Sequence, residues 1–189
     1  MGDHAGGPTA GGGIAHRHEQ SRQFAAYMLA LPRQDFRPLR SAFDPAKIPN
    51  LLPRIVLLDL TPDGTYRYRL AGTELENYFG HDLTGKTLAA GVGERAAGQL
   101  QMTFDRMMAQ PCGLLCIMDI TDSSARVALF ETVVFPLAGV SPPQQIAHIA
   151  ILERTAYLAV ASATSSGKSY EMQAIDLGAG MADFSDISW

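Results

Sequence analysis

Residues 44–87 read DPAKIPNLLPRIVLLDLTPDGTYRYRLAGTELENYFGHDLTGKT, and this stretch supports two interpretations of the whole chain. In the first, a β-hairpin over residues 55–70 leads into a capped helix. In the second, residues 80–87 form a phosphate-binding loop, because GHDLTGKT matches the pattern Gly-x-x-x-x-Gly-Lys-Thr at every position. The choice between the two largely decides the predicted function.

The hairpin interpretation has a physical basis in each of its parts. Residues 55–60 are a short apolar run, which predicts a buried strand. Pro62-Asp63-Gly64 predicts a turn, because proline fixes φ and glycine accepts a positive φ. The next strand alternates, so we expect its side chains to divide between an apolar face (Tyr66, Tyr68, Leu70) and a polar face (Arg67, Arg69).

The phosphate-loop interpretation lacks the required context. Such a loop must leave a buried strand and enter a helix directly. Here Thr73-x-x-Glu76 is a capping box, so the residues before Gly80 predict a helix. A second nucleotide-site pattern, LLCIMD at residues 114–119, ends beside a predicted tight turn, where aspartate is common. We therefore interpret Gly80 as a helix cap and keep a P-loop nucleotide-binding enzyme using Gly80–Thr87 as the alternative.

The rest of the chain predicts two longer helices and three further strands. Apolar positions recur at helical spacing over residues 17–31 and again over residues 93–109. Strands are predicted at residues 113–120, 126–137 and 145–153. Because strands and helices are grouped rather than alternating, the fold class is α+β. We expect a flexible Gly-rich leader (1–16), one domain with its N-terminal helix (17–160), and a linker and C-terminal tail (161–189).

Composition limits the possible functions. The chain has 189 residues, 47% hydrophobic and 18% charged, with a net charge of −4, which argues against a nucleic-acid binder. No apolar run approaches the roughly 20 residues that span a bilayer, and no signal peptide is visible, so we expect a cytoplasmic protein. Cys112 and Cys116 are the only cysteines, and we interpret them as core residues rather than as a disulfide or a metal site.

The order β-β-helices-β-β-β resembles that of PAS sensor domains. The chain is similar in particular to a family of small, stand-alone bacterial PAS-like proteins, over about residues 20–154. The residues that carry this resemblance are Asp44-Pro45, Ile48-Pro49-x-Leu51-Leu52-Pro53, Tyr68-Arg69-Leu70-Ala71-Gly72-Thr73, Phe79-Gly80 and Leu83-Thr84-Gly85, with the upstream amphipathic helix and Pro136-Leu137. It implies a five-stranded antiparallel sheet with helices on one face, and a role in sensing or protein interaction without catalysis.

The resemblance also implies a site between the sheet and its helices that binds a small, largely apolar ligand or is filled by side chains. The candidate pocket residues are Tyr68, Leu70, Phe79, Leu100, Phe104, Met108, Cys116, Met118 and Val133. We expect neither flavin nor haem, because both cysteines lie on a predicted strand and the nearest candidate axial ligand, His81, lies in a predicted loop. No metal site is predicted.

Partners are the other implied feature. The N-terminal helix carries an apolar stripe of Phe24, Tyr27, Met28 and Leu31, which can pack on its own domain or form a homodimer interface. We expect a homodimer and a protein signalling partner. A further alternative is a small α+β enzyme that uses a strand-borne acid and base, and its candidates are Glu131 and His148.

Overall fold

The computed structural model describes residues 16–121, 127–152 and 171–187. Helix α1 (Glu19–Leu29) comes first, and the small hairpin of β1 (Arg33–Gln34) and β2 (Arg37–Pro38) follows it. Three short 3-10 helices then span Arg40–Ala42, Pro45–Lys47 and Pro49–Arg54. The remaining elements are β3 (Ile55–Leu60), β4 (Tyr66–Ala71), α2 (Thr73–Phe79), α3 (Ala89–Val92), α4 (Glu94–Ala109), β5 (Cys112–Thr121), β6 (Val127–Leu137), β7 (Gln144–Ile151) and β8 (Glu171–Asp176).

The main sheet has six strands in the order β4-β3-β7-β6-β5-β8, and every neighbouring pair is antiparallel. All five predicted strands are confirmed. The number of strands was wrong by one, because the C-terminal segment adds β8 to the edge of β5, where Cys112 pairs with Asp176. The predicted leader and linker lie almost wholly outside the described residues.

Each face of the sheet carries its own apolar cluster. Helices α2, α3 and α4 cover one face, which we call the helical face; Val56, Cys116 and Phe130 point into it. Helix α1 covers part of the opposite face, which we call the outer face; Leu57, Val133 and Ile146 point into that one. Alternation along each strand produces this division, since successive side chains point to opposite sides.

Local signals explain the helix boundaries. Helix α2 ends at Gly80, whose φ of 76° is the left-handed conformation that favours glycine. Its start agrees with the prediction but its cap does not: Gly72 is the N-cap, Thr73 is the first helical residue, and no side chain caps the helix. Gly72 is required there for space, because a Cβ atom would overlap the backbone of Pro53.

Candidate functional site

A cavity of about 430 Å³ opens on the outer face of the sheet, beside α1. Its floor is formed by β3, β4 and β7, and its walls by the 3-10 helices that precede β3. The lining is mostly apolar and consists of Arg40, Phe43, Pro45, Pro49, Leu52, Pro53, Ile55, Leu57, Leu70, Ala71, Gly72, Thr73 and Ile146. This volume lies in the range of roughly 300–1,000 Å³ that is typical of small-molecule sites.

A β-bulge brings Leu70 into this cavity. Leu57 pairs with Leu70, whereas the next residue of β3, Leu58, pairs with Tyr68, so Arg69 is the extra residue in β4. The bulge reverses the alternation, and Leu70 therefore points to the outer face while Tyr68 points to the helical face. Leu70 is 48% exposed, which is unusual for a leucine within a sheet.

The wall of the cavity is joined directly to α1. The Tyr27 hydroxyl donates a hydrogen bond to the Asp44 carbonyl oxygen (3.1 Å) and accepts one from the Asp44 N–H (2.8 Å). The Tyr27 ring packs edge-on against Phe43, with 5.8 Å between the ring centroids. Phe43 lines the cavity, so one side chain touches both the cavity and the helix.

A buried polar cluster anchors the N-terminal end of α1. The Glu131 carboxylate, on β6, accepts hydrogen bonds from the backbone N–H groups of Arg17 (2.6 Å) and His18 (3.1 Å). Ser21 Oγ lies 3.4 Å from His148 Nδ1, and both residues are fully buried. Arg54 completes the cluster, with Nη1 at 3.1 Å from His18 Nε2.

The cluster keeps its buried imidazole neutral. Burial lowers the pKa of His148 to about 3, and the nearby His18 and Arg54 add to the effect. Burial also lowers the pKa of His16, against the raising influence of Glu131. Protonation of His148 is therefore strongly unfavourable while α1 is docked.

The comparison with family models follows from this arrangement. Residues 16–152 match the model described as "PAS domain", which covers well over half of the chain. The chain belongs to the PAS domain family. No curated protein matches it.

Solved structures show similarity to this PAS domain at low identity. The Rhodobacter sphaeroides LOV protein is 12% identical, with 64% of this chain and 77% of that chain covered and a TM-score of 0.45. The blue-light photoreceptor Aureochrome1 LOV in its light state is 9% identical, with 64% and 97% covered and a TM-score of 0.45. An RNA-binding light-oxygen-voltage receptor is 14% identical, with 64% and 37% covered and a TM-score of 0.43.

The residues predicted to line a pocket fall on both faces of the PAS sheet. Six of them share the helical-face cluster: Tyr68, Phe79, Leu100, Phe104, Cys116 and Met118. Leu70 and Val133 do not join them. The bulge turns Leu70 to the outer face, and Val133, an odd-numbered residue of β6, packs there with Phe24. Met108 is only partly buried; the buried methionine is Met107, because the inward positions of α4 are 100, 103, 104 and 107. Ligand binding by the predicted set stays a prediction.

The predicted dimerisation stripe is largely covered within the PAS domain itself. Phe24 and Met28 are 0% exposed and pack into the outer-face cluster. Tyr27 and Leu31 are partly exposed. Of the two roles that the sequence left open, packing on the domain is the one that these contacts describe, and the homodimer stays a prediction.

The backbone of residues 80–87 is unlike a phosphate cradle. The N–H of Gly85 donates to the Tyr68 carbonyl oxygen (2.6 Å), and that of Lys86 to the Leu83 carbonyl oxygen (3.0 Å). The N–H of Thr84 donates to the Asp82 carboxylate at 2.7 Å. Groups that would face phosphate oxygens are thus engaged within the protein. Lys86 is exposed, with Nζ 3.3 Å from His81 Nδ1.

The remaining candidates occupy structural positions. Cys112 and Cys116 are buried in the helical-face cluster, and burial raises the pKa of Cys116 to about 12, which disfavours the reactive thiolate. Glu131 and His148 share the outer face, but the register pairs Glu131 with Ala150 and His148 with Val133, so they are diagonal neighbours. Within the described ranges, no three His, Cys, Asp or Glu side chains form a group suited to a metal ion.

Two further observations concern the described part of the chain. No helix in it has the length and apolarity needed to cross a membrane. The residues that sequence reasoning missed are Arg40, Phe43 and the prolines of the cavity wall. Pro45, Pro49 and Pro53 were recognised as helix breakers, and their spacing of four residues was the signal for a rigid wall.

Proposed function

We propose that this PAS domain protein is a sensory regulator that binds a small ligand, a protein partner or both, and has no catalytic activity of its own. The observation that carries the proposal is the cavity on the outer face, whose wall residue Phe43 packs against Tyr27 of α1. A ligand in the cavity would touch the same residues that hold the N-terminal helix in place.

The floor of the cavity provides a second route to α1. Ile55, Leu57 and Ile146 line the cavity and also belong to the cluster that buries Phe24 and Met28. Because side chains in a packed core respond to each other's displacement, filling the cavity would alter the free energy of docking α1. We infer that α1 is the element through which occupancy of the cavity reaches a partner.

The absence of catalysis in this proposal rests on where the polar groups lie. Glu131 and His148 are both 0% exposed, so a substrate has no access to the pair that resembles an acid and a base. Glu131 is also engaged by two backbone N–H groups. The proposal includes the sequence-based expectations of a homodimer and of a cytoplasmic location.

Native mass spectrometry, combined with hydrogen exchange, tests the proposal. We expect the purified protein to carry a small molecule or a protein partner. Removing that molecule should raise hydrogen exchange in residues 19–29 more than in β6. A bare chain with no specific partner, or equal exchange in α1 with and without the bound molecule, would contradict the proposal.

A further inference from the structure

The cavity on the outer face has one charged group in its lining. Arg40 stands at the cavity, and Thr73 is the other polar side chain that lines it; the remaining lining residues are apolar or glycine. We propose that the cavity binds a small amphipathic anion, with its carboxylate at Arg40 and its apolar body over Leu57, Leu70 and Ile146. This inference rests on the proposed sensory function and specifies the ligand class.

The charge of Arg40 has no carboxylate partner in the described part of the chain. By contrast, Arg37, Arg54 and Arg69 on neighbouring elements pair with Asp35, Glu74 and Asp59 respectively. The Arg40 side chain is partly buried, and its Cζ lies 5.7 Å from the centroid of the Phe43 ring. A guanidinium held against a ring in an apolar cavity is suited to a carboxylate, which it can bind through two parallel N–H donors.

One guanidinium balances one negative charge, and this favours a carboxylate over a phosphate monoester. A phosphate monoester brings about −1.5 to −2 charges at neutral pH. The rest of the lining offers no second cation, and the chain as a whole is already negative at −4. A singly charged head with an apolar body matches the lining best.

The walls favour a small molecule over a peptide or a second protein chain. Pro45, Pro49 and Pro53 fix the backbone of the wall, so the cavity is formed before a ligand arrives. The Arg40 N–H also donates to the Ala138 carbonyl oxygen at 3.0 Å, which ties the start of this wall to the end of β6. A rigid concavity of about 430 Å³ holds one small ligand.

The test uses decanoate as the probe, with decanol and decylammonium as neutral and cationic molecules of the same chain length. Isothermal titration of the full chain should show decanoate binding more tightly than either. Arg40→Met should weaken decanoate binding by about tenfold or more and leave decanol binding unchanged. Arg95→Met is the matched control: it removes the same charge from an exposed position on α4, across the sheet, and should change nothing.

A second variant tests the apolar floor. Leu70→Glu changes a half-exposed side chain, so the protein should fold normally, which a thermal melt checks, while binding of decanoate and decanol should both be lost. Equal binding of decanoate and decanol, with no effect of Arg40→Met, would overturn the anion while leaving a ligand-binding cavity. No binding of any probe would overturn the inference, and the mass spectrum described above would then decide the sensory function alone. A dimer that Leu70→Glu dissociates, with no probe bound, would assign this face to a second copy of the chain.

Discussion

The carboxylate of Glu131, on the central strand β6, lies 2.6 Å from the backbone nitrogen of Arg17, immediately before helix α1 begins. A second N–H, that of His18, donates to the other carboxylate oxygen at 3.1 Å. The N-terminal end of a helix favours negative charge, so this buried carboxylate both fixes the start of α1 and joins it to the sheet. The arrangement makes Glu131 the residue on which docking of α1 most depends.

Glu131→Gln should destabilise the protein by about 1–3 kcal/mol, because one N–H then faces an amide NH2 group instead of an oxygen. Urea denaturation measures the change, and hydrogen exchange should rise first in residues 19–29. Glu19→Gln is the control: Glu19 is exposed and pairs with Arg22 on the helix surface, so its loss should cost little. Unchanged or increased stability of Glu131→Gln would mean that burying the charge costs more than its two hydrogen bonds contribute.

Stability should fall as the pH drops below about 6.5. His148 has a pKa of about 3 in the folded protein, whereas an unfolded histidine titrates near 6.5. Between these values the unfolded state binds the additional proton, so the free energy of unfolding decreases with decreasing pH. We expect a loss of about 1–2 kcal/mol between pH 7 and pH 5 in urea denaturation.

A neutral variant separates His148 from the other titrating groups. His148→Gln should be less stable at pH 7 and should show a flatter pH dependence than the parent protein. The residual slope would come from groups such as His16, whose pKa is also lowered by burial. An identical slope in both proteins would exclude His148 as the source.

The contrast between Tyr68 and Leu70 shows how far the sequence can predict this fold. The alternation of β4, the turn at Gly64 and the end of α2 at Gly80 are local signals, and each predicted the element that forms. The bulge at Arg69 depends on how β3 pairs with β4, which no local pattern encodes, and it moved Leu70 to the other face. The cavity was missed for the same reason, because its lining joins residues 40–57 to residues 70–73 and Ile146.

Met28→Ala should cost about 2–5 kcal/mol, because Met28 is 0% exposed between α1 and the outer face of the sheet. Met102→Ala is a matched control on α4, where the side chain is 49% exposed, and should cost less than about 0.5 kcal/mol. Thermal melts of both variants measure the difference. Equal, small effects would show that α1 is not docked in solution, and would return the stripe of Phe24, Tyr27, Met28 and Leu31 to a dimer interface.

Phe104→Trp distinguishes a packed helical face from a ligand pocket. Phe104 is 3% exposed and meets Tyr66 edge-on, with ring centroids 5.1 Å apart. If these side chains fill the space between α4 and the sheet, a larger ring should cost about 1–3 kcal/mol. Phe36→Trp, at a 50% exposed residue of the β1–β2 turn, is the control and should be nearly neutral. Decanoate binding on the outer face should be the same in both variants, because α4 lies across the sheet from that cavity. An unchanged melting temperature for Phe104→Trp would instead reveal open space on the helical face, where Tyr68, Phe79, Leu100, Cys116 and Met118 were predicted to surround a ligand.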